Sequence, residues 1–338
     1  MKFTLSWLKD HLDTTASVDE IAEALTDLGL EVEGIENPLA TLANFTLGKV
    51  KHAEKHPDAD RLTVCMVETD EGERQIVCGA PNAREGITVV ICKPGDYVPG
   101  IDLNLTVGKI RGVESHGMMA SEREMQLSDE HDGIIELPSG EVGENFAEWM
   151  AKNQPEKVDP VFDIAITPNR PDGLGVRGVA RDLAARGLGT LKPAKTAKVE
   201  GTYPCPIDVT IDEDTRTDGC EVFMGRLIKG VNNGPSPQWL QQRLRAIGLR
   251  PISALVDITN FFTYDMNRPL HVFDADKVRG NLRVHRTKGG ETLIGLDEKE
   301  YTFPEGAVVI SDNEEIESID GIMGGLRTGC TGETTKFF

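Results

Sequence analysis

Short β-type runs recur between residues 41 and 150 at about ten-residue spacing, each closed off by Gly, Pro or Asp. They cover 45–52, 62–68, 75–78, 88–92 and 108–110. Strands this short must share one core, so the pattern predicts a small barrel or sandwich. The segment 134–138 ends this module, and a short helix starts at 146–150.

The flanks have a different period. Residues 1–40 read as helix, helix and short strand. Ser17-Val18-Asp19-Glu20 is a capping box, in which Glu20 reaches back to the N-cap. Ile21, Leu25 and Leu28 follow at helical spacing, Gly29 closes the helix, and Asn37-Pro38 breaks the chain. After a polar stretch, 151–159, come an apolar run at 162–166 and the turn 167–173, whose Pro-Asn and Pro-Asp steps suit a rigid corner. A helix is expected over 176–186 with Gly187 as its stop, then a Lys/Ala/Pro linker over 191–202. Beyond it a mixed α/β unit begins, with Ser236 as N-cap and Pro237 at the first position of a helix. Strands follow, including 307–310, and the ending Lys336-Phe337-Phe338 reads as a strand cut short, so a fragment of a longer chain is expected.

A chain of 338 residues is too long for one ordinary core, so two or three domains are expected. No apolar run reaches the roughly 20 residues that span a bilayer, and Met1 to Leu12 lacks the apolar core of a signal peptide. Cys65, Cys78, Cys92, Cys205, Cys220 and Cys330 form no C-x-x-C pair. They read as small buried hydrophobes in a reducing compartment, the cytoplasm. The net charge of −20 is awkward for a nucleic-acid binder. Yet residues 226–290 hold eleven Lys/Arg against four Asp, a local surplus of seven positive charges. That surplus suits either a nucleic-acid surface or a salt-bridged one.

Three motifs stand out in the β-rich module: His56-Pro57-Asp58-Ala59-Asp60-Arg61-Leu62, Ile76-Val77-Cys78-Gly79-Ala80-Pro81-Asn82 and Arg111-Gly112-Val113-Glu114-Ser115-His116-Gly117-Met118. The first is an Asx-rich turn feeding a strand, and the glycines of the others allow tight turns. In this order and spacing they resemble the tRNA-binding OB module of phenylalanyl-tRNA synthetase β subunits. The same module is appended to some methionyl-tRNA synthetases and occurs in free-standing tRNA-binding proteins. The resemblance implies tRNA contact through Lys49, Lys55, Arg61, Arg111, Ser115 and Met118. Residues 41–150 carry ten Lys/Arg and twenty Asp/Glu, so weak contact from this module alone is expected, and a purely structural barrel is the alternative.

The flanks resemble the same family. Phe3-Thr4-Leu5-Ser6-Trp7-Leu8-Lys9 is similar to the β-subunit N-terminus, and Asp163-Ile164-Ala165-Ile166-Thr167-Pro168-Asn169-Arg170-Pro171-Asp172 to the return segment. The third region resembles the family's editing domain: 250–260 (Arg-Pro-Ile-Ser-Ala-Leu-Val-Asp-Ile-Thr-Asn), 269–274 (Pro-Leu-His-Val-Phe-Asp) and Gly321-Ile322-Met323-Gly324-Gly325. The expected fold is therefore α+β and multidomain. A discontinuous N-terminal domain, 1–40 plus 151–195, receives an inserted OB-fold β-barrel, 41–150, and precedes a mixed α/β editing domain, 203–338, incomplete at its C-terminus.

The implied function is that of the β subunit of phenylalanine–tRNA ligase, binding tRNA and hydrolysing tyrosine wrongly esterified to tRNA(Phe). A pocket for phenylalanine cannot strongly exclude an analogue that only adds a hydroxyl, so a second site must remove the product. By resemblance Thr259, Asn260 and His271 are the catalytic candidates. Arg250, Pro269, Gly324 and Gly325 are the candidates for the pocket, the glycines letting backbone N–H groups near the substrate. From the residues alone, Thr259 and Asn260 equally suit bracing a helix, His271 a satisfied core histidine, and Gly324-Gly325 a turn. Asp320 and Leu326 depart from the small apolar and acidic residues frequent at these places in the family. The glutamate that recognises the tyrosine hydroxyl is expected just beyond residue 338. With no P-loop or other adenylation site, adenylation, with ATP and Mg2+, falls to an α subunit in an α2β2 assembly; this chain is expected to bind no cofactor or metal and to contact no membrane. The competing functions are a non-enzymatic tRNA-binding protein and a free-standing hydrolase acting in trans.

Overall fold

The computed structural model describes residues 1–194 and 196–338. Lys195, which falls in the expected linker and closes the expected 151–195 segment, lies outside the described residues. The chain is α+β and divides into two compact units, one formed by 4–6 and 33–163, the other by 1–3, 7–32 and 164–338. Among the described residues no helix is long and apolar enough to cross a membrane.

The 33–163 unit is organised by Thr88–Cys92, a strand in which all five residues are buried. Side chains alternate between the faces of a strand, so a strand covered on both must be apolar throughout. Val89 and Ile91 join Val50, Cys65, Val67 and Ile76 on one side. Val90 and Cys92 join Phe45, Leu47, Phe146 and Trp149 on the other. The helix Phe146–Asn153 forms that second layer; Asn145 caps it by accepting from the Glu148 N–H at 3.1 Å.

The longest strand, Thr46–Lys55, pairs with Thr88–Cys92 through its residues 46–49 and with Thr63–Thr69 through 49–55. A register shift between Val50 and His52 bends it enough to serve both neighbours. Gly72–Cys78 extends the sheet on one side, and Met118–Met119 and Glu136–Leu137 extend it on the other. The two margins then meet. His116 donates its N–H to the Gln75 carbonyl at 2.8 Å, and the Val77 N–H reaches Ser115 Oγ at 3.0 Å. Gly108–Ile110, expected as a strand of the main sheet, instead pairs with Val113–Ser115 in a separate two-stranded hairpin. Pro38, expected to break the chain, instead opens the short helix Pro38–Leu42, where its fixed φ is already helical.

In the second unit the capping box is present: Ser17 Oγ accepts from the Glu20 N–H, and Glu20 accepts from the Ser17 N–H at 2.8 Å. The helix Val176–Ala185 buries Val176, Val179, Ala180 and Leu183. The turn before it is braced by charge, with Arg170 and Arg181 each bonded to both Asp172 and Asp182. A five-stranded sheet runs in the order Val209–Ile211, Leu282–Lys288, Glu305–Ser311, Ile316–Ile319 and Met323–Gly324, parallel only at the first pair. Leu282, Val284 and Ile310 face a core completed by Leu227, Phe273 and Phe338. The final strand, Lys336–Phe337, pairs with Ile228–Lys229, and the Phe338 ring lies so close over Gly225 that a Cβ there would stand 2.0 Å from it.

All six cysteines are free. Cys65, Cys78 and Cys92 are buried as expected, and burial pushes the Cys65 thiol up to about 11. Cys205, by contrast, is exposed, and Cys220 and Cys330 are half-buried.

Two measurements check this account. Ile91→Ala empties a position 1% exposed and is expected to lose about 2–5 kcal/mol in denaturant unfolding, whereas Ile110→Ala, 38% exposed, stays within about 0.5 kcal/mol. Arg170, aided by Arg181, holds the Asp172 carboxyl down at about 2, below its unfolded value. The stabilisation is therefore full above pH ~4 and disappears as pH falls through the folded value. Thermal midpoints of wild type and Asp172→Asn are expected to differ at neutral pH and converge on acidification between those limits.

Candidate functional site

The helix Ala254–Met266 carries two of the three catalytic candidates, and its first N–H groups need partners. Ser253, the N-cap residue, gives no side-chain bond. The segment before it does that work: Gly234 carbonyl accepts from Ala254 N–H at 2.8 Å, and Asn233 Oδ1 from Leu255 N–H at 3.0 Å. Asp257, wholly buried, accepts from the Ser236 hydroxyl and from Ile252 N–H at 2.8 Å. Ser236 is thus committed to Asp257 and is not an N-cap; Pro237 takes that place ahead of Gln238–Ala246. At its other end the helix stops at Asn267, in the left-handed region at φ 53°, where asparagine is tolerated.

Along this helix Thr259 donates its hydroxyl to the Val256 carbonyl at 2.7 Å, which leaves the oxygen able to accept. Asn260 is half-buried and makes no side-chain hydrogen bond among the described residues. His271 keeps an outer edge exposed while protein crowds the rest of its ring. The crowding decides its charge: desolvation holds the imidazole below its ordinary value, so the neutral ring prevails near pH 7. Phe273 meets the ring edge-on at 4.5 Å. Gly324 lies directly against it, since a Cβ there would stand 2.2 Å from His271 Cε1 and 3.0 Å from Leu296 Cδ1. Only glycine allows the ring to sit where it does.

The other pocket candidates are more dispersed. Arg250 and Pro269 are exposed, and Arg250 has no ion-pair partner among the described residues. Gly325 cannot offer its N–H to a substrate, because that group donates to the Glu317 carbonyl at 2.7 Å. No hydrogen bond among the described residues joins Thr259, Asn260, Arg250 or Pro269 to His271. Asp320 is half-buried and its carboxyl is pushed up by burial, while Leu326 is exposed.

Two features escaped the sequence. Arg327 pairs with the fully buried side chains of Asp312 and Glu317, and Thr328 Oγ1 donates to Glu317 at 2.8 Å. Together they anchor the segment that follows Gly324. In the other unit the turn 57–61 is braced by His56, whose Nδ1 accepts from Asp58 N–H at 3.0 Å and whose Nε2 donates to the Ile110 carbonyl at 3.1 Å. Buried imidazoles carry no pattern in a single sequence; the polar letters around them drew the reading to the aspartates instead.

Of the tRNA-contact candidates, Lys55, Arg61 and Arg111 are exposed and Lys49 half-exposed. Ser115 is buried with both hydrogen-bonding roles filled, accepting from Val77 N–H and donating to the Gly117 carbonyl at 3.0 Å. Met118 packs on the core. Ser115 is thus occupied in closing the sheet, while Met118, half-buried, lines a cleft with Ser115, Cys78 and Ile110. The basic window also shrinks: Arg243, Arg283 and Arg286 pair with Asp10, Asp212 and Asp218, all outside it. Arg250 and Arg268 remain exposed without such partners.

Comparison with known proteins gives two family matches, to a putative tRNA binding domain over residues 45–145 and to the B3/4 domain over 219–338. They define a class of protein that joins a tRNA-binding module to a B3/4 domain. The phenylalanine–tRNA ligase β subunit of Ruegeria pomeroyi is 78% identical over 338 residues, all of this chain and 42% of that protein. That of Cereibacter sphaeroides is 56% identical over 346 residues, covering 100% of this chain and 42% of its own length. The Brucella abortus subunit is 56% identical over 336 residues, 99% of this chain and 41% of that one. Over its whole length the chain is similar to phenylalanine–tRNA ligase β subunits, and it spans about two fifths of the length of the curated relatives it matches. A solved N-terminal fragment of the phenylalanyl-tRNA synthetase β-subunit from Pyrococcus horikoshii overlaps 58% of this chain and 62% of that one at 15% identity and a TM-score of 0.29, too slight a likeness to argue from.

Gly324→Ala is expected to displace the His271 ring and shift its Cε1–H resonance, whereas Gly332→Ala, with open space around it, leaves that resonance in place. In wild type the same resonance is expected to titrate below the ordinary imidazole value of ~6.5.

Proposed function

We propose that this chain is the part of a phenylalanine–tRNA ligase β subunit that binds tRNA(Phe) and hydrolyses tyrosyl-tRNA(Phe). The observation that carries the reading is the match, without a large gap, of the whole chain to β subunits so named. On this reading residues 41–150 are the OB-fold tRNA-binding barrel, inserted in a domain made of 1–40 and 151–195, and residues 203–338 belong to the editing domain. Lys55, Arg61 and Arg111 offer exposed cations to the phosphate backbone, and the half-exposed Lys49 offers a fourth.

Ester hydrolysis needs a positioned water, donors for the developing oxyanion and a grip on the terminal adenosine. The neutral His271 ring can accept a proton from that water. Asn260, with its amide unengaged, and the Thr259 oxygen can orient the water and the ester. Arg250 lies exposed, with no ion-pair partner among the described residues, and suits the ribose or phosphate of the acceptor end. Gly324 lets the imidazole seat against the backbone and so fixes where the aminoacyl group must approach it, with Pro269 as wall. Gly325 contributes by its lack of a side chain, since a Cβ there would meet the Glu317 carbonyl at 2.7 Å. Adenylation, with its ATP and Mg2+, belongs to the α subunit of an α2β2 assembly working in the cytoplasm, and this chain holds neither.

The test is deacylation of tyrosyl-tRNA(Phe) by the full-length subunit assembled with its α partner. Wild type is expected to hydrolyse it in clear preference to phenylalanyl-tRNA(Phe). His271→Ala is expected to lower kcat/KM about 10²-fold, the scale of general acid–base assistance, and Asn260→Ala about tenfold. Equal hydrolysis by both variants and wild type would sink the assignment of the site.

A further inference from the structure

Chain segments far apart in sequence converge on the helix Ala254–Met266 from the side of the N-terminus. Trp7, wholly buried, stacks on Phe261 with ring centroids 5.3 Å apart and planes 4° from parallel. Its indole N–H donates to Asp265 Oδ1 at 2.8 Å. The same carboxylate oxygen meets His11 Nε2 at 2.6 Å, while Arg177 donates to His11 Nδ1 at 3.4 Å. With Nδ1 accepting, Nε2 is the nitrogen that carries the proton, so Asp265, 7% exposed, has two donors to offset its burial. Trp239 meets Phe261 edge-on at 5.6 Å. Arg243 lies over the Trp7 and Trp239 rings, at 5.7 Å and 5.4 Å, and pairs with Asp10 at 2.6 Å.

Phe261 and Asp265 are four residues apart and share one helix face. Phe261 also follows Asn260 directly in the chain. Aliphatic packing would fix only the distance of this helix from its neighbours. A coplanar stack and a directional bond to Asp265 fix its rotation about its own axis as well, and with it the direction in which Thr259 and Asn260 project. We infer that Trp7, Asp265 and Arg243 are positioning residues for the hydrolytic site: they set the rotation of Ala254–Met266 from the N-terminal segment. The inference rests on the reading of Thr259 and Asn260 as groups that orient water and ester.

The test uses the full-length subunit assembled in its ligase, with steady-state hydrolysis of tyrosyl-tRNA(Phe). Trp7→Leu loses both the stack and the N–H. It is expected to lower kcat about tenfold or more with KM little changed, as small misplacements of reacting groups do. Trp7→Phe keeps an aromatic face against Phe261 and is expected to recover most of that loss. Arg243→Lys keeps a charge towards Asp10 but loses the planar cation over the two indoles, and is expected to lower kcat about threefold; it stands in should Trp7→Leu fail to fold. A lowered thermal midpoint with kcat unchanged in Trp7→Leu and Arg243→Lys would overturn the inference, leaving these residues merely structural. Should wild type not hydrolyse tyrosyl-tRNA, the editing reading fails on its own. Amide hydrogen exchange over 254–266 then still separates the outcomes, faster in Trp7→Leu if that residue fixes the helix and unchanged if it does not.

Discussion

The helix Ala254–Met266 is held at both ends by bonds to other segments of the chain. At its start, Gly234, Asn233 and the Asp257 carboxylate take up the N–H groups and the entering chain. At its end, Asp265 is tied to Trp7 and His11, and Asn267 donates its amide to the Pro171 carbonyl at 2.6 Å. A helix of 13 residues is marginal alone, so these tertiary bonds, more than propensity, decide where it sits. Thr259 and Asn260 inherit their placement from them.

A second constraint acts on the facing segment. His271 and Gly324 approach closely enough that any larger residue at 324 would push the ring away. Gly324 in turn is held by strand pairing with Ser318 and, beyond it, by Arg327 between Asp312 and Glu317. Two buried carboxylates around one guanidinium are costly to desolvate and are offset only by short, directed contacts. That arrangement fixes position more than it adds stability. Desolvation around His271 then keeps the imidazole neutral and able to accept a proton.

Much of this was legible in the sequence wherever a local rule decided the outcome. The capping box at Ser17–Glu20 formed because its four residues satisfy one another without outside help. The apolar run at 88–92 became a doubly covered strand because its pattern leaves no polar face. Where a side chain had a choice of partners, the sequence was silent. Ser236 had the spacing of an N-cap but found Asp257, 21 residues on. The surplus of Lys and Arg over 226–290 looked free because three of its acidic partners, Asp10, Asp212 and Asp218, lie outside that window. Ser115 sits in a motif shared with tRNA-binding modules, yet here its hydroxyl is taken up in closing the sheet. The stack of Trp7 on Phe261 had no local signal, since the two residues are separated by most of the chain.

The central claim is that the groups on Ala254–Met266 and the His271–Gly324 contact serve one substrate. A structure of the assembled ligase bound to an adenosine carrying tyrosine through a non-hydrolysable amide at its 3′ position tests it most directly. The account predicts the aminoacyl carbonyl within about 3 Å of the Asn260 amide, or of a water held by Thr259 and His271, with the aminoacyl group against the exposed edge of the His271 ring. An analogue bound elsewhere, with Asn260 and His271 each facing bulk water, would contradict it.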